Sequence, residues 1–465
     1  MRPTFDKAVP WRLRFLVAIV ATLALVATAC GNDDDSDSGD SAPPAPAATG
    51  TAADSGDGLS DEEVEIRVAY FNGAGQTEID FREQQAAEFS AMHPNVTVNM
   101  VPVSDWQITI LPQIASGDAP DVLWGGTDDG YGQMVGRNAF RSVQPYIDSE
   151  GYDLSQWPGG MLAHFSDPDG NLLVLPSSNL SFNFLYYNKN LFDEAGLDYP
   201  SDSWSVDDLI DAARALSIPD EQWGFGFAWD DLYQTWMRMY GCEFSDDPTF
   251  ATDYTYNGPH CAEALEGLDE LSREGVINWE LGAQWGGLAP GDAVGESAFS
   301  AGHVAMLLSG TWEAPTIADN SGGAFEFDAV SAPLADGGTI QGAASGFGVY
   351  EGSDNPEWAW EYVKFIAGPE GQEAEANEGI GQSPIARILD QVYCASDAPP
   401  INKCAVAKVG AANTIWEPLG DAWVPGFWDV ISPAVQGGFT AGSPPDWQAV
   451  LDEAVETSRQ AAPLS

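Results

Sequence analysis

The chain has 465 residues and carries 71 acidic against 17 basic side chains, a formal charge of −54. That excess repels phosphodiester backbones and anionic lipid headgroups, which argues against nucleic acid or a charged membrane surface as partner. With 44% apolar and 11% aromatic residues it has ample material to bury, and its length exceeds what one core organises, so two lobes are expected.

Taken from the amino terminus, Arg2, Lys7, Arg12 and Arg14 precede an apolar run from Phe15 to Ala29 that ends in small residues, the pattern of a signal peptide over 1–30. The run falls short of the ~20 apolar residues a membrane-spanning helix needs, and no later stretch comes close, so the mature chain is expected to be soluble. The stretch Leu25-Val26-Ala27-Thr28-Ala29-Cys30-Gly31 resembles the bacterial lipobox, which implies that Cys30 becomes the lipidated first residue. Ordinary cleavage near Ala29, leaving a free thiol, is the alternative. Residues 31–63 follow as a tether, because Asn32 to Gly58 holds no aromatic residue and no aliphatic larger than alanine and cannot order itself by burial. Removal of the signal segment leaves 13 basic against 70 acidic residues.

Folded structure begins where Val64, Ile66, Val68 and Tyr70 alternate with Glu65, Arg67 and Ala69, the period-two pattern of a half-buried strand. A helix is predicted from near Asp80 to Met92, with Ile79, Ala86, Phe89 and Met92 inward, stopped by His93-Pro94. Val96, Val98 and Met100 then alternate, Ile108 to Ile114 reads as helix, Gly117 breaks it, and Asp121 to Trp124 is a strand. Strand and helix alternating in this way mean a mainly parallel sheet with helices on its faces. Further on, Ser205-Val206-Asp207-Asp208 starts a helix as a capping box, with Val206, Leu209, Ile210, Ala213 and Leu216 as its buried stripe. Helices are also predicted from Pro356 to Gly368-Pro369 and from about Asp446 to Gln460.

With Cys30 assigned to lipid, the remaining cysteines form two close pairs, Cys242 with Cys261 and Cys394 with Cys404. In an exported chain disulfides are the natural reading. Zinc is the rival, but no C-x-x-C spacing occurs and the histidines are scattered, with only His260 beside a cysteine, so no metal is expected.

In order along the chain stand Val68-Ala69-Tyr70-Phe71-Asn72-Gly73, the Phe89 to Pro94 helix end, and Gly117-Asp118-Ala119-Pro120-Asp121-Val122. They are followed by Leu185-Tyr186-Tyr187-Asn188-Lys189-Asn190-Leu191-Phe192 with the Trp204 helix start, then Phe299 to Met306 with Gly310-Thr311-Trp312, Ala332-Pro333-Leu334, and Trp358 to Gly368. This series resembles the extracellular solute-binding proteins that include the maltose and multiple-sugar binders, over about Glu65 to Gln460. The resemblance implies an α/β, two-lobe periplasmic-binding-protein-like fold of type II with ligand in the cleft between lobes and a hinge. Lobe 1 would be 64–178 plus 331–388 and lobe 2 would be 179–330 plus 389–465, with crossovers near Leu175 to Asn183, Val330 to Pro333 and Ile385 to Gln391. It further implies a monomer outside the cell, attached to the membrane only through its lipid anchor, that delivers a carbohydrate to the transmembrane subunits of an ABC importer. No cofactor is implied.

By position in the matched motifs, the resemblance makes Trp312 and Trp428 stacking residues and Asp128 a hydroxyl-binding acid. Asn72 and Gln76 sit where ligand meets the first lobe, Asn179 and Ser181 lie in the hinge, and Trp229-Asp230 is an aromatic and acid pair in the second lobe. Trp124 stands between core packing and ligand contact. Independently, the 17 tryptophans suit a pyranose, whose apolar C–H face matches an indole and whose hydroxyl rim matches carboxylates and amides. Each site residue also has a plain structural reading as core or solvated surface.

No nucleophile elbow, zinc helix, phosphate loop or dinucleotide fingerprint appears, so no catalytic residue is assigned and the chain is read as a binder and not as a glycoside hydrolase. Among other cargoes, an anion wants arginine, for which only Arg238 and Arg387 are cleft candidates. A polyamine would find acids and aromatic faces.

Overall fold

The alternating apolar residues near the start of the folded chain form β1 (Val64–Phe71), with Ile66 and Val68 wholly buried. β2 (Val96–Val103) and β3 (Val122–Gly126) flank it in parallel, Val68 standing in register with Met100 on one side and Val122 on the other. The computed structural model describes residues 59–71, 76–126, 130–177, 181–228, 233–278, 295–311, 313–397, 399–407, 414–415 and 423–464. β4 (Val174–Pro176) and β11 (Ser345–Val349) complete the first sheet in the order β2-β1-β3-β11-β4, β11 running antiparallel to both neighbours.

The first helix is longer than its pattern predicts, running Gln76–Met92, and its opening turn is tied by Gln76 Nε2 donating to Asp80 Oδ1 at 2.6 Å. Ala86 and Phe89 face inward as expected, but Met92 is turned to solvent. The inward place at the helix end is taken by Phe89 and His93, whose rings both lie against Trp358. The helix predicted over Ile108 to Ile114 is two short ones, Trp106–Thr109 and Leu111–Ser116, because Pro112 lacks the N–H that would continue the first.

A second sheet is built on β5 (Ser181–Asn188). Antiparallel to β5 run β8 (Val304–Gly310), β9 (Phe327–Ser331) and β10 (Ile340–Ala343); β6 (Trp223–Phe227) lies parallel to β8, with β7 (Ile277–Asn278) beyond it and β12 (Thr414–Ile415) beside β10. The Val206–Leu216 helix covers this sheet as its stripe predicts, and its capping box is complete: Asp208 N–H donates to Ser205 Oγ at 3.1 Å and Ser205 N–H to Asp208 Oδ2 at 2.8 Å. Each sheet has its own hydrophobic core.

The chain leaves the second sheet later than the sequence placed the crossover. β10 is paired with β5, so the change of sheet falls at Ala344, between β10 and β11, and not near 331. The Gln341-Gly342-Ala343 stretch carries no apolar alternation by which its sheet could be read. Both cysteine pairs are disulfides, Cys242–Cys261 and Cys394–Cys404. Asp390 comes near the second pair, but its sulfurs are spent on each other. Among the described residues no helix is long and apolar enough to cross a membrane.

Beside the first core, burial holds one histidine neutral. His164 is 1% exposed, its ring near those of Tyr131 and Phe165, and desolvation pushes its pKa from 6.5 down to about 3. Between those values the unfolded chain binds a proton that the folded chain refuses, so stability falls as pH falls from about 6.5 toward about 3. One proton corresponds to a slope of up to about 1.4 kcal/mol per pH unit. The stability difference between His164→Gln and the parent should therefore shift in the variant's favour as urea denaturations are moved from pH 7 to pH 4; a pH-independent difference would rule this out.

Candidate functional site

In a parallel sheet ligands meet the carboxyl ends of the strands, where loops can vary without disturbing the ladder. Here the three adjacent parallel strands each deliver an aromatic residue to that end. Phe71 closes β1, Trp124 lies in β3, and Trp106 follows β2 through the cap at Asp105, whose carboxylate accepts from Ile108 N–H at 2.9 Å. The Phe71 and Trp124 rings stack with centroids 5.3 Å apart, and Trp106 lies 5.6 Å from Trp124. Gly126 makes room for this row, since a methyl group there would overlap the Trp124 indole.

Two polar atoms beside this row have no partner among the described residues. They are the indole N–H of Trp106, a residue 2% exposed, and the side-chain carbonyl of Gln133. Both side chains border Gly130. A buried donor and a buried acceptor left unmade each cost free energy unless something supplies the missing bond. Neither residue stood out in the sequence, although Trp106 had a signal in its place just after an alternating strand.

The structure places the candidate residues unevenly. Gln76 is exposed at the start of its helix, which follows β1 in the chain. Trp124 is 5% exposed, so most of its ring serves the first core. Ser181 opens β5, in register with Ala343. Trp428 is half-buried on the Trp423–Phe439 helix, edge-on to Phe427 at 5.2 Å and packed against the second core. Asn72, Asp128, Asn179, Trp229, Asp230 and Trp312 lie outside the described residues, as does Cys30. Asn72 and Asp128 follow the carboxyl ends of β1 and β3 in the chain, and Trp312 falls between Thr311 and the Glu313–Ser321 helix.

Glu313 is a further acid that the sequence did not single out. It is buried at the first turn of its helix, accepts from Ser309 Oγ at 3.0 Å, and burial raises its carboxyl above the usual range. Of the cations considered for an anionic ligand, Arg387 is engaged with Glu373 at 2.8 Å, and Arg238 is buried with its guanidinium 4.1 Å from the Phe244 ring centre.

Residues 74–373, more than half of the chain, match the family model described as bacterial extracellular solute-binding protein. Among curated proteins, the chain is 28% identical over 162 residues to the sn-glycerol-3-phosphate-binding periplasmic protein of Agrobacterium fabrum, covering 33% of this chain and 37% of that one. To the protein of the same name from Brucella abortus it is 24% identical over 258 residues, covering 52% and 57%. The chain thus spans between about a third and somewhat over half of these relatives' lengths. Among solved structures, an ABC substrate-binding protein of Listeria monocytogenes in complex with cycloalternan superposes with a TM-score of 0.72 at 22% identity, over 86% of this chain and 99% of that one. The maltose-bound MalE3 of T. maritima superposes with a TM-score of 0.66 at 17% identity, over 86% and 100%.

Proposed function

Because the chain belongs to the bacterial extracellular solute-binding protein family, and its fold is the two-lobe type II arrangement of periplasmic binding proteins, we propose that it captures a carbohydrate between its lobes. It hands that ligand, unaltered, to the transmembrane subunits of an ABC importer. The observation that carries this reading is the row Phe71, Trp124 and Trp106 at the carboxyl ends of three parallel strands. Aromatic faces suit the C–H face of a pyranose, and the buried Trp106 N–H and Gln133 carbonyl offer a donor and an acceptor to hydroxyls. The Listeria monocytogenes and T. maritima proteins are bound to cycloalternan and maltose, which supports the same class.

The first lobe comprises the strands through β4 together with β11 and the helices up to 388, and the second the rest, with the boundary set at Ala344 in place of 331. Asn72, Gln76, Trp124 and Asp128 serve the ligand from the first lobe. Trp229, Asp230, Trp312 and Trp428 serve it from the second, and Asn179 and Ser181 stand in the hinge. Cys30 carries the lipid, 31–63 is the tether, and the protein works as a monomer on the outer face of the cell membrane. A ligand that touches both lobes favours the closed form, and the importer reads that difference.

The names of the curated relatives favour a second reading, glycerol 3-phosphate. It is the weaker one, because the chain is strongly acidic and both candidate arginines are already engaged. Thermal-shift measurements with maltose and mannotriose, with polyamines, and with glycerol 3-phosphate separate the classes, since a ligand selective for the folded form raises the melting point. Stabilisation by sugar alone is expected; stabilisation by the phosphoester or an amine and not by sugar would overturn the assignment. With the sugar that binds, Trp312→Ala should weaken affinity by about 1.5–3 kcal/mol in calorimetry while leaving the melting point of the free protein in place. Unchanged affinity would remove Trp312 from the site. Prolonged incubation with the bound sugar should yield no product.

A further inference from the structure

β8 ends at Gly310, and two hydroxyl groups near that end meet no partner among the described residues. Thr311, the next residue, is 2% exposed, and its Oγ1 is one of them. The other is the hydroxyl of Tyr393, which is buried although part of its ring reaches solvent. Tyr186 links the two. Its Oη donates to the Gly310 carbonyl at 2.8 Å, and its phenol is raised well above its ordinary value by burial, by the neighbouring Tyr393 and by Glu313. A hydroxyl can donate once and accept twice, so each of these groups forgoes bonds that water or a ligand would give it.

What sets this pair apart from other unmet hydroxyls, such as that of Tyr70, is its place. β8 runs parallel to β6, so its carboxyl end is the edge at which such sheets take ligand, and Trp312 comes next in the chain. The corresponding edge of the first sheet carries the unmet Trp106 N–H and Gln133 carbonyl. Both side chains are also held. Tyr393 closes a π-helical turn, Leu389–Tyr393, an irregularity frequent at functional sites. Beside it Cys394 is bonded to Cys404, and the Lys403 ammonium lies 5.7 Å from the Tyr393 ring centre while donating to the Ser396 carbonyl at 2.8 Å. Asn402 fastens the same loop to β9, its Nδ2 donating to the Ala329 carbonyl at 3.1 Å. Thr311 is fixed between β8 and the Glu313–Ser321 helix, whose first residue accepts from Ser309 Oγ at 3.0 Å. Side chains ordered in advance lose little entropy when a ligand meets them.

We propose that Thr311 and Tyr393 form a hydroxyl-binding subsite in the second lobe, which selects among sugars by the hydroxyls it can reach. The inference rests on the carbohydrate reading above and adds two residues to it. Calorimetry on the full chain with maltose and with mannotriose tests it, in the parent, Thr311→Val, Thr311→Ser and Tyr393→Phe. Valine and phenylalanine keep the shape and remove the hydroxyl. For a sugar that binds the parent, each of these two variants should raise Kd roughly fivefold, the scale of one hydrogen bond between neutral groups. Thr311→Ser, which keeps the hydroxyl, should stay near the parent. The melting point of the free protein should hold or rise in Thr311→Val and Tyr393→Phe, since a buried hydroxyl without a partner has gone. Kd equal to the parent's in both variants would overturn the subsite and leave the carbohydrate reading standing. A lowered melting point with unchanged Kd would do the same, marking the hydroxyls as bonded within the fold. Binding of glycerol 3-phosphate or a polyamine by the parent in place of either sugar would overturn the carbohydrate reading, and the subsite with it.

Discussion

Replacing Arg82 by methionine should remove about 3–5 kcal/mol of stability, the range for breaking a buried ion pair from one side. Arg82 and Glu375 have side chains 3% exposed, and Nη2 of the arginine lies 2.8 Å from the carboxylate. Nη1 donates to Glu375 Oε2 at 3.2 Å and Gln85 Oε1 at 3.0 Å, and Glu78 lies 3.5 Å away. Burial by itself pushes the guanidinium down, and Glu375 with Glu78 more than offsets it, so the group stays charged and above its ordinary value. Methionine fills the aliphatic space but strands two buried carboxylates. Arg82→Met with Glu375→Leu should then cost less than Arg82→Met alone, because the largest uncompensated charge has gone. Urea denaturation at pH 7 reads both; a single-variant loss below about 1 kcal/mol, within the range of an exposed pair, would show that the bridge is not holding the Gln76–Met92 and Pro369–Asn377 helices together.

Converting Cys242 and Cys261 together to alanine should cost about 3 kcal/mol, since the bond restrains a loop between residues 19 apart in the unfolded chain. Both sulfurs are buried in the second core, so alanine adds a small packing loss without introducing an unpaired polar group. A reductant should lower the parent's midpoint toward that of the variant. If the reduced parent melted with the oxidised one, the loop would owe its order to Asp246, Asp247 and the Arg459 pair alone.

Elements whose causes are local were legible before any coordinates. The Ser205 capping box, the cap at Asp446, the helix between Pro356 and Gly368 and the alternation of β1 and β2 all appear where their residues predict. Both disulfides also join the pairs that spacing suggested. Trp124 shows the limit: a tryptophan at a strand end reads equally as core or contact, and only the neighbouring rings of Phe71 and Trp106 show how much of it is buried. The abundance of tryptophan was also a looser guide to the site than it seemed, since Trp236, Trp360, Trp423 and Trp447 are among the largest fully buried side chains.

By itself the sequence determined the α/β class, the helix starts at Ser205, Pro356 and Asp446, and the family resemblance, because periodicity, caps and motif order depend on residues a few positions apart. Tertiary structure alone decided that Arg82 meets Glu375 across 293 residues and that β10 joins the second sheet. Those outcomes depend on which surfaces are left uncovered once the sheets have formed, and no local pattern records that.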